Sequence, residues 1–378
     1  MLACVRDIRA GIERGLRDMN LPEDALLVAD ITGGTKIMSA ALTLVMMEHR
    51  SRFAYVGGAS RTKAGLGIVK TGHEIFMQQD NPWDVMALRE VRNLARSFNS
   101  GEFAAAWEIA KELAANVTTD GKFYTCLNDL VEAYCLWDGF AHKRALNKLN
   151  ESIGRLEPFA LNTPRWRKQL DLFKESKGTL EKVEQDAQEL RAAKGRVSPT
   201  CGRAYLCDLL ANARRRMRAG RYDDAVVRLY SGIEKIAKIA LLARHGIDNS
   251  NIDLERTPEG QRDSLRAAMG NDGRIRIGLQ KSFALLDALE DPLGRQYSRH
   301  EKELRRTLDA RNQSLLAHGY NPVTASTCKK LFPMALEFLD LNEKDLPEYP
   351  PLDWKSLIFD VKFYSHASRD SPAQAAHL

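Results

Sequence analysis

Arg311, Asn312 and His318 are the residues whose types and spacing best suit chemistry in this chain. On a helix, positions 311 and 318 lie two turns apart and project from nearly the same face. That face offers a permanently charged clamp for a phosphate and a group that exchanges protons near neutral pH. Asn312 adds a neutral hydrogen-bonding side chain. The set suits holding a phosphate and moving a proton beside it. A helix over 297–318 is expected, with Gly319 as its C-cap and Pro322 beyond. His318 then sits in the last turn, where the helix dipole favours the protonated imidazole. An Arg and a His at this spacing also occur on ordinary solvated helices, so the motif needs support from elsewhere.

A second motif lies near the N-terminus. Leu26 to Ile31 reads as a buried strand, Thr32-Gly33-Gly34-Thr35-Lys36 as a turn, and Ile37 to Met47 as a helix. Strand, glycine turn and helix N-terminus together suit an anionic ligand. Gly33 and Gly34 let the backbone approach a phosphate, Thr32 and Thr35 offer hydroxyls, and Lys36 offers a point charge. The spacing is neither that of a Walker A loop nor G-x-G-x-x-G. A tight turn with a solvated lysine is the plain alternative.

Residues 30–41, Asp-Ile-Thr-Gly-Gly-Thr-Lys-Ile-Met-Ser-Ala-Ala, resemble the signature of CARF domains, the Rossmann-like sensors of type III CRISPR-associated ribonucleases. Phe53 to Gly58 resembles the next strand of that domain, and Asn81 to Val85 the start of the helical part that follows. Arg311-Asn312 and His318 resemble the R-N-x(5)-H motif of HEPN ribonucleases. The resemblance covers roughly 20 to 345. It implies a metal-independent endoribonuclease without a cofactor, acting on single-stranded RNA and activated by cyclic oligoadenylate. Arg311, Asn312 and His318 are implied as catalytic residues, and Thr32, Gly33, Gly34, Thr35 and Lys36 as the ligand-binding set. Arg311 would clamp the phosphate and His318 move a proton, from the 2′-hydroxyl or to the leaving oxygen. Asn312 would hold the phosphate or orient His318. A homodimer is implied too, its two-fold axis joining two motifs into one site. Ser314 and Tyr320 could add hydroxyl contacts, and Glu234 could brace Arg311. Three other readings stay open: a non-catalytic nucleotide-sensing protein, an unregulated HEPN ribonuclease, and a turn that itself degrades the messenger.

The elements expected to position these groups form an incomplete α/β Rossmann-like domain followed by an all-α linker and a HEPN helical bundle. The boundaries read are 1–80 for the sensor, 81–198 for the helical linker, 199–345 for the bundle and 346–378 for a C-terminal tail. Val5, Ile8, Ile12 and Leu16 give 1–19 a helical stripe, and two strands follow, against about six in a full Rossmann-like sheet. The first half of the sensor is therefore expected to be missing. Val91, Leu94 and Ala95, then Tyr124, Leu127, Leu130, Val131 and Tyr134, repeat at helical spacing. Asn99 to Ala106 echoes Arg218 to Ala225 as a small-Gly-x-aromatic turn into a helix. Val226, Leu229, Ile233, Ile236, Ala237 and Ala240 mark the inner face of a long helix over 222–245.

The hydrophobic fraction of 44% and charged fraction of 28% are those of an ordinary globular chain, and no apolar run approaches a membrane span. Charges from Arg6 to Arg14 interrupt any signal-peptide core, so a cytoplasmic protein is expected. The six cysteines form no C-x-x-C pair, which makes zinc an unlikely tenant and packing their expected role. A net charge of +6 permits an RNA partner without demanding one. Two basic clusters are candidates for phosphate steering: Arg214, Arg215, Arg216, Arg218 and Arg221, and Arg299, Lys302, Arg305 and Arg306.

Overall fold

The computed structural model describes residues 1–22, 25–49, 51–58, 72–79, 82–117, 121–161, 163–193, 197–312 and 320–357, with 78–79, 82–86, 88 and 308–312 as backbone alone. The chain forms two compact units. One comprises Met1–Cys135, Lys148–Asp171 and Pro351–Leu378; the other comprises Leu136–Asn147 and Leu172–Pro350. Most described residues are helical, and the three strands form one small sheet.

In the first unit, helix α1 (Leu2–Asp18) precedes β1 (Leu27–Asp30), α2 (Lys36–Met46), β2 (Ser51–Gly58) and β3 (Glu74–Gln79). β1 and β2 pair in parallel, Ala29 opposite Phe53, with α2 as the crossover. Ala29, Met46 and Phe53 are buried against Ile12, Leu27, Ile31 and Leu42. Arg9 of α1 pairs with Glu48 just past α2.

The third strand corrects the sequence reading, which found two. β3 runs antiparallel to β2, Val56 opposite Phe76. Its Ile75, Phe76 and Met77 are all exposed. No buried face imposes a two-residue alternation there, and alternation is the signal a strand search relies on.

Helices α3 (Pro82–Asn99), α4 (Phe103–Asn116), α5 (Gly121–Asp138), α6 (His142–Ala160) and α7 (Pro164–Ala192) follow. Val91, Leu94, Leu127, Leu130, Val131 and Tyr134 are buried, so the periodic stripes face inward. Phe98 meets Phe103 and Tyr134 edge-on at 5.2 and 5.1 Å. The segment 351–357, read as part of a tail, is fastened to these helices. The Asn99 side chain accepts from Leu352 N at 2.7 Å and donates to Leu352 O at 3.0 Å. Gln169 does the same with Asp353 N and Pro351 O, and Arg92 lies over the Trp354 ring at 4.3 Å. Two amide side chains thus mimic a strand partner for residues that lack any apolar period of their own.

The second unit is a helical bundle of α8 (Arg203–Arg218), α9 (Tyr222–Ala240), α10 (Arg262–Arg266), α11 (Leu279–Ala288), α12 (Pro292–Asn312) and α13 (Ala325–Phe338), with the ends of α5, α6 and α7. α9 continues as a π-helical turn over Leu241–His245 and stops at Gly246, φ +67°. The predicted inner face of α9 is buried throughout, packed with Leu210, Phe283, Leu286, Leu304 and Leu331. Residues 136–147 enter this unit through a buried polar cluster. Trp137 Nε1 donates to Asp208 at 3.0 Å, and His142 Nε2 lies 3.2 Å from the same carboxylate.

Candidate nuclease site and ligand turn

The turn from Thr32 to Lys36 joins β1 to α2. Asp30 Oδ1 accepts the Thr32 N–H at 2.8 Å, and hydrogen bonds from the Thr32 side chain and backbone hold the Asp30 carboxyl below its usual pKa. Thr32 Oγ1 also accepts from Val56 N at 2.7 Å, which ties the turn to β2. Gly34 sits at φ +87°, where a side chain would be strained. Thr35 Oγ1 accepts from Met38 N at 3.3 Å and caps α2. The Thr32 hydroxyl is therefore engaged on two sides, while Thr35 has a hydroxyl hydrogen to donate outward. Lys36 is exposed in the first turn of α2, and a Cβ built on Gly33 would meet nothing within 4 Å. Open space, a helix N-terminus and an exposed ammonium can hold an anion here.

The Arg311–His318 motif begins at the end of α12, whose last two residues are Arg311 and Asn312. Ser314, His318 and Gly319 lie outside the described residues, as do the Arg311 and Asn312 side chains. Tyr320 is 92% exposed and Glu234 half-buried in α9.

What positions α12 is clear. Asp291 caps it, its Oδ1 accepting from Leu293 N at 3.0 Å. Arg244 donates to the same oxygen at 2.9 Å, and His245 Nε2 lies 2.9 Å from Oδ2. Asp291 is itself buried, so its charge leans on those two partners. Gly294 permits the closest approach: a Cβ there would stand 2.2 Å from the backbone nitrogen of Asp287. After the motif, both Asp223 carboxylate oxygens accept from Val323 N at 3.1 Å, which anchors the chain entering α13. Sequence reasoning missed Asp291 and Asp223. Asp-Pro at 291–292 is an N-cap followed by proline at the first helical position and could have flagged the first. Nothing local marks Asp223.

The two basic clusters part company. Arg214 is buried and donates to the carbonyl oxygen of Glu343 at 2.7 Å; Arg215 donates to Asp138 Oδ1 at 2.9 Å and stacks on Tyr349 at 4.1 Å. Arg216 pairs with Asp138 as well, and Arg218 with Glu348 at 3.1 Å. Burial lowers the Arg214 pKa, with the Arg218 charge adding to it. Burial also acts to lower that of Arg215, but Tyr349 and Asp138 outweigh it and hold it above the usual arginine value. This corrects the expectation that the α8 arginines steer phosphate: Arg214, Arg215, Arg216 and Arg218 are engaged in the unit's own ion pairs and packing. On α12, Arg299, Lys302 and Arg306 are exposed and have no carboxylate partner among the described residues, whereas Arg305 pairs with Glu301 at 2.7 Å.

The cysteines are packing residues where the structure informs on them. Burial pushes the Cys201 thiol up to about 12 and that of Cys328 up to about 11, away from nucleophilic thiolates. Among the described residues no helix is long and apolar enough to cross a membrane.

Residues 194–342 match the family model of the Csm6 HEPN domain, and residues 86–182 that of the Csm6 6H domain. No curated protein matches the chain. On these two matches the chain belongs with the Csm6-like HEPN ribonucleases associated with type III CRISPR systems.

Proposed function

We propose that this chain is a metal-independent endoribonuclease that cuts single-stranded RNA at Arg311, Asn312 and His318 and is activated by cyclic oligoadenylate at the Thr32–Lys36 turn. The observation that carries the reading is the position of the motif: Arg311-Asn312 closes α12 inside the stretch that matches the HEPN model.

The chemistry follows from the groups. The 2′-hydroxyl of the substrate loses its proton and its oxygen attacks the adjacent phosphorus. The bond from phosphorus to the 5′-oxygen breaks, and that oxygen leaves with a proton. The products are a 2′,3′-cyclic phosphate and a 5′-hydroxyl, with no net gain or loss of atoms. Arg311 balances charge on the non-bridging oxygens, His318 moves a proton at one of the two oxygens, and Asn312 holds the phosphate or the imidazole. The nucleophile comes with the substrate, so no step calls for a metal. One Arg and one His per chain make a sparse site, and a homodimer in which two motifs share one axis supplies both twice. At the turn, Thr35 and Lys36 touch the messenger, Gly33 and Gly34 admit it, and Thr32 fixes the loop. The division 1–80, 81–198 and 199–345 into sensor, linker and nuclease, and a cytoplasmic location, belong to the same reading.

The test is cleavage of a fluorescent single-stranded RNA in EDTA, with and without cyclic tetra- and hexa-adenylate. Wild type is expected to cut only with one of the rings. Arg311→Ala and His318→Ala are each expected to lose more than about a thousandfold in rate with an unchanged melting temperature. Full activity in His318→Ala would remove the site assignment, and ring-independent cutting would mean an unregulated nuclease.

A further inference from the structure

A cavity of about 420 Å³ opens between α11 and α12; Lys281, Ser298, Glu301 and Arg305 on its lining are hydrogen-bonded within the fold, whereas among the described residues the Tyr297 hydroxyl and the Gln261 and Gln280 amides are not. Beneath it lies a stacked pair, Phe283 and Tyr297, with centroids 4.4 Å apart and planes at 10°, Phe283 being fully buried. Tyr297 is only 5% exposed, yet its hydroxyl has no hydrogen-bond partner among the described residues. A buried hydroxyl without a partner is a standing cost to the fold, and such groups call for an explanation. Phenylalanine would pack there without that cost. The walls carry Gln261 and Gln280, whose amides also make no side-chain hydrogen bond among the described residues. Each amide presents a donor beside an acceptor, the pattern that pairs with a base edge. Burial pushes the Tyr297 pKa up, so its hydroxyl stays neutral and able to donate.

Basic side chains lie beside the cavity, whose own lining also carries Asp287 and Glu301. Arg295, Arg299, Lys302 and Arg306 succeed one another on α12 at three- and four-residue steps, forming one exposed stripe. Ser298 and Arg305 of the same helix line the cavity. From Arg305 to Arg311 is about 9 Å along the helix axis. Single-stranded RNA is recognised by splayed bases held in pockets while cations follow the backbone.

We infer that the cavity between α11 and α12 is a nucleobase subsite for the RNA strand, whose phosphates run along the α12 stripe toward Arg311. The inference rests on the ribonuclease reading and adds to it a source of sequence preference outside the cleavage motif. The cavity lies within the size range of small-molecule sites, about 300–1,000 Å³.

The test uses the full chain and RNAs carrying one abasic nucleotide at successive positions. Binding is read by fluorescence anisotropy in a His318→Ala background, and cleavage in the wild type. One position is expected at which losing the base weakens binding about three- to tenfold. Tyr297→Phe and Gln280→Ala are expected to erase that position dependence and to raise KM by a similar factor, with the loss falling on KM rather than kcat. Tyr297→Phe is expected to melt no lower than wild type, which separates a ligand role from a structural one. Binding that ignores every abasic position, or a Tyr297→Phe enzyme with wild-type KM, would overturn the inference. Free nucleosides that raise the melting temperature of wild type but not of Tyr297→Phe, without any abasic penalty, would also overturn it, in favour of a free-base site. If His318→Ala cuts RNA normally while the abasic pattern persists, the nuclease assignment fails and the subsite stands. If no RNA binds, both fail.

Discussion

α8 and α12 carry arginine clusters that look alike as sequence and behave differently in the fold. On α8, Asp138 meets Arg215 and Arg216, and Glu343 and Glu348 meet Arg218. On α12, Arg299, Lys302 and Arg306 face outward with no carboxylate partner among the described residues. The difference teaches that a cation is available to a nucleic acid only if the fold has not already spent it. The acids that occupy the α8 cluster lie some 75 residues upstream and 130 downstream, beyond any local pattern.

The sharpest way to break the comparison is Asp138→Asn. It leaves Arg215 in a largely buried place without its anion and Arg216 with Asp224 alone. A loss of about 3 kcal/mol is expected, since breaking a buried pair strands the other charge. Chemical denaturation checks it, and a loss below about 0.5 kcal/mol, the ordinary surface range, would mean that the α8 arginines are not held as described. Next in size is a triple change on α12, Arg299→Gln with Lys302→Gln and Arg306→Gln. RNA affinity at moderate salt is expected to fall about tenfold or more, and the slope of log affinity against log salt to flatten by about 2, from three lost phosphate contacts. Arg218→Gln on α8 is the control, with an unchanged slope; equal flattening in both would erase the distinction. Lys36→Ala, a single exposed charge, is expected to raise the ring concentration for half-maximal cleavage by about three- to fivefold.

The smallest effect concerns pH. Cys201, just before α8, has its thiol pKa raised to about 12 in the folded chain by burial, with nearby acids adding to the shift. The folded state therefore keeps a proton that the unfolded chain gives up near 8.5 to 9. That contribution to stability is complete below pH 8.5 and is lost as pH rises toward 12. Iodoacetamide at pH 8.5 should label Cys201 only on unfolding, and rapid native labelling would contradict its burial.

The legible parts were those with a period or a sequence signature. Helix α9 declared its inner face from Val226 to Ala240, and every one of those residues is buried. The order strand, turn and helix was readable from a hydrophobic run, glycines and a capping threonine, but the expectation of a buried strand was not met: Leu26 and Val28 are exposed and Ala29 is the buried residue of β1. β3 was not readable, since its exposed Ile75, Phe76 and Met77 answer to no buried face. The clasp of Leu352 by Asn99, the capping of α12 by Asp291 and the anchoring of Val323 by Asp223 were likewise invisible or nearly so.

By itself the sequence determined that the chain is mainly helical and where helices such as α9 face the core, and it offered a few residues suited to phosphate chemistry. Periodicity, turn glycines and the spacing of Arg311 and His318 are local properties, and a one-dimensional string records them. Only the tertiary structure decided which arginines remain free to meet RNA and which hydroxyl is left buried without a partner at Tyr297. Charge neutralisation and hydrogen-bond satisfaction depend on side chains brought together from distant positions, and no local pattern contains that meeting.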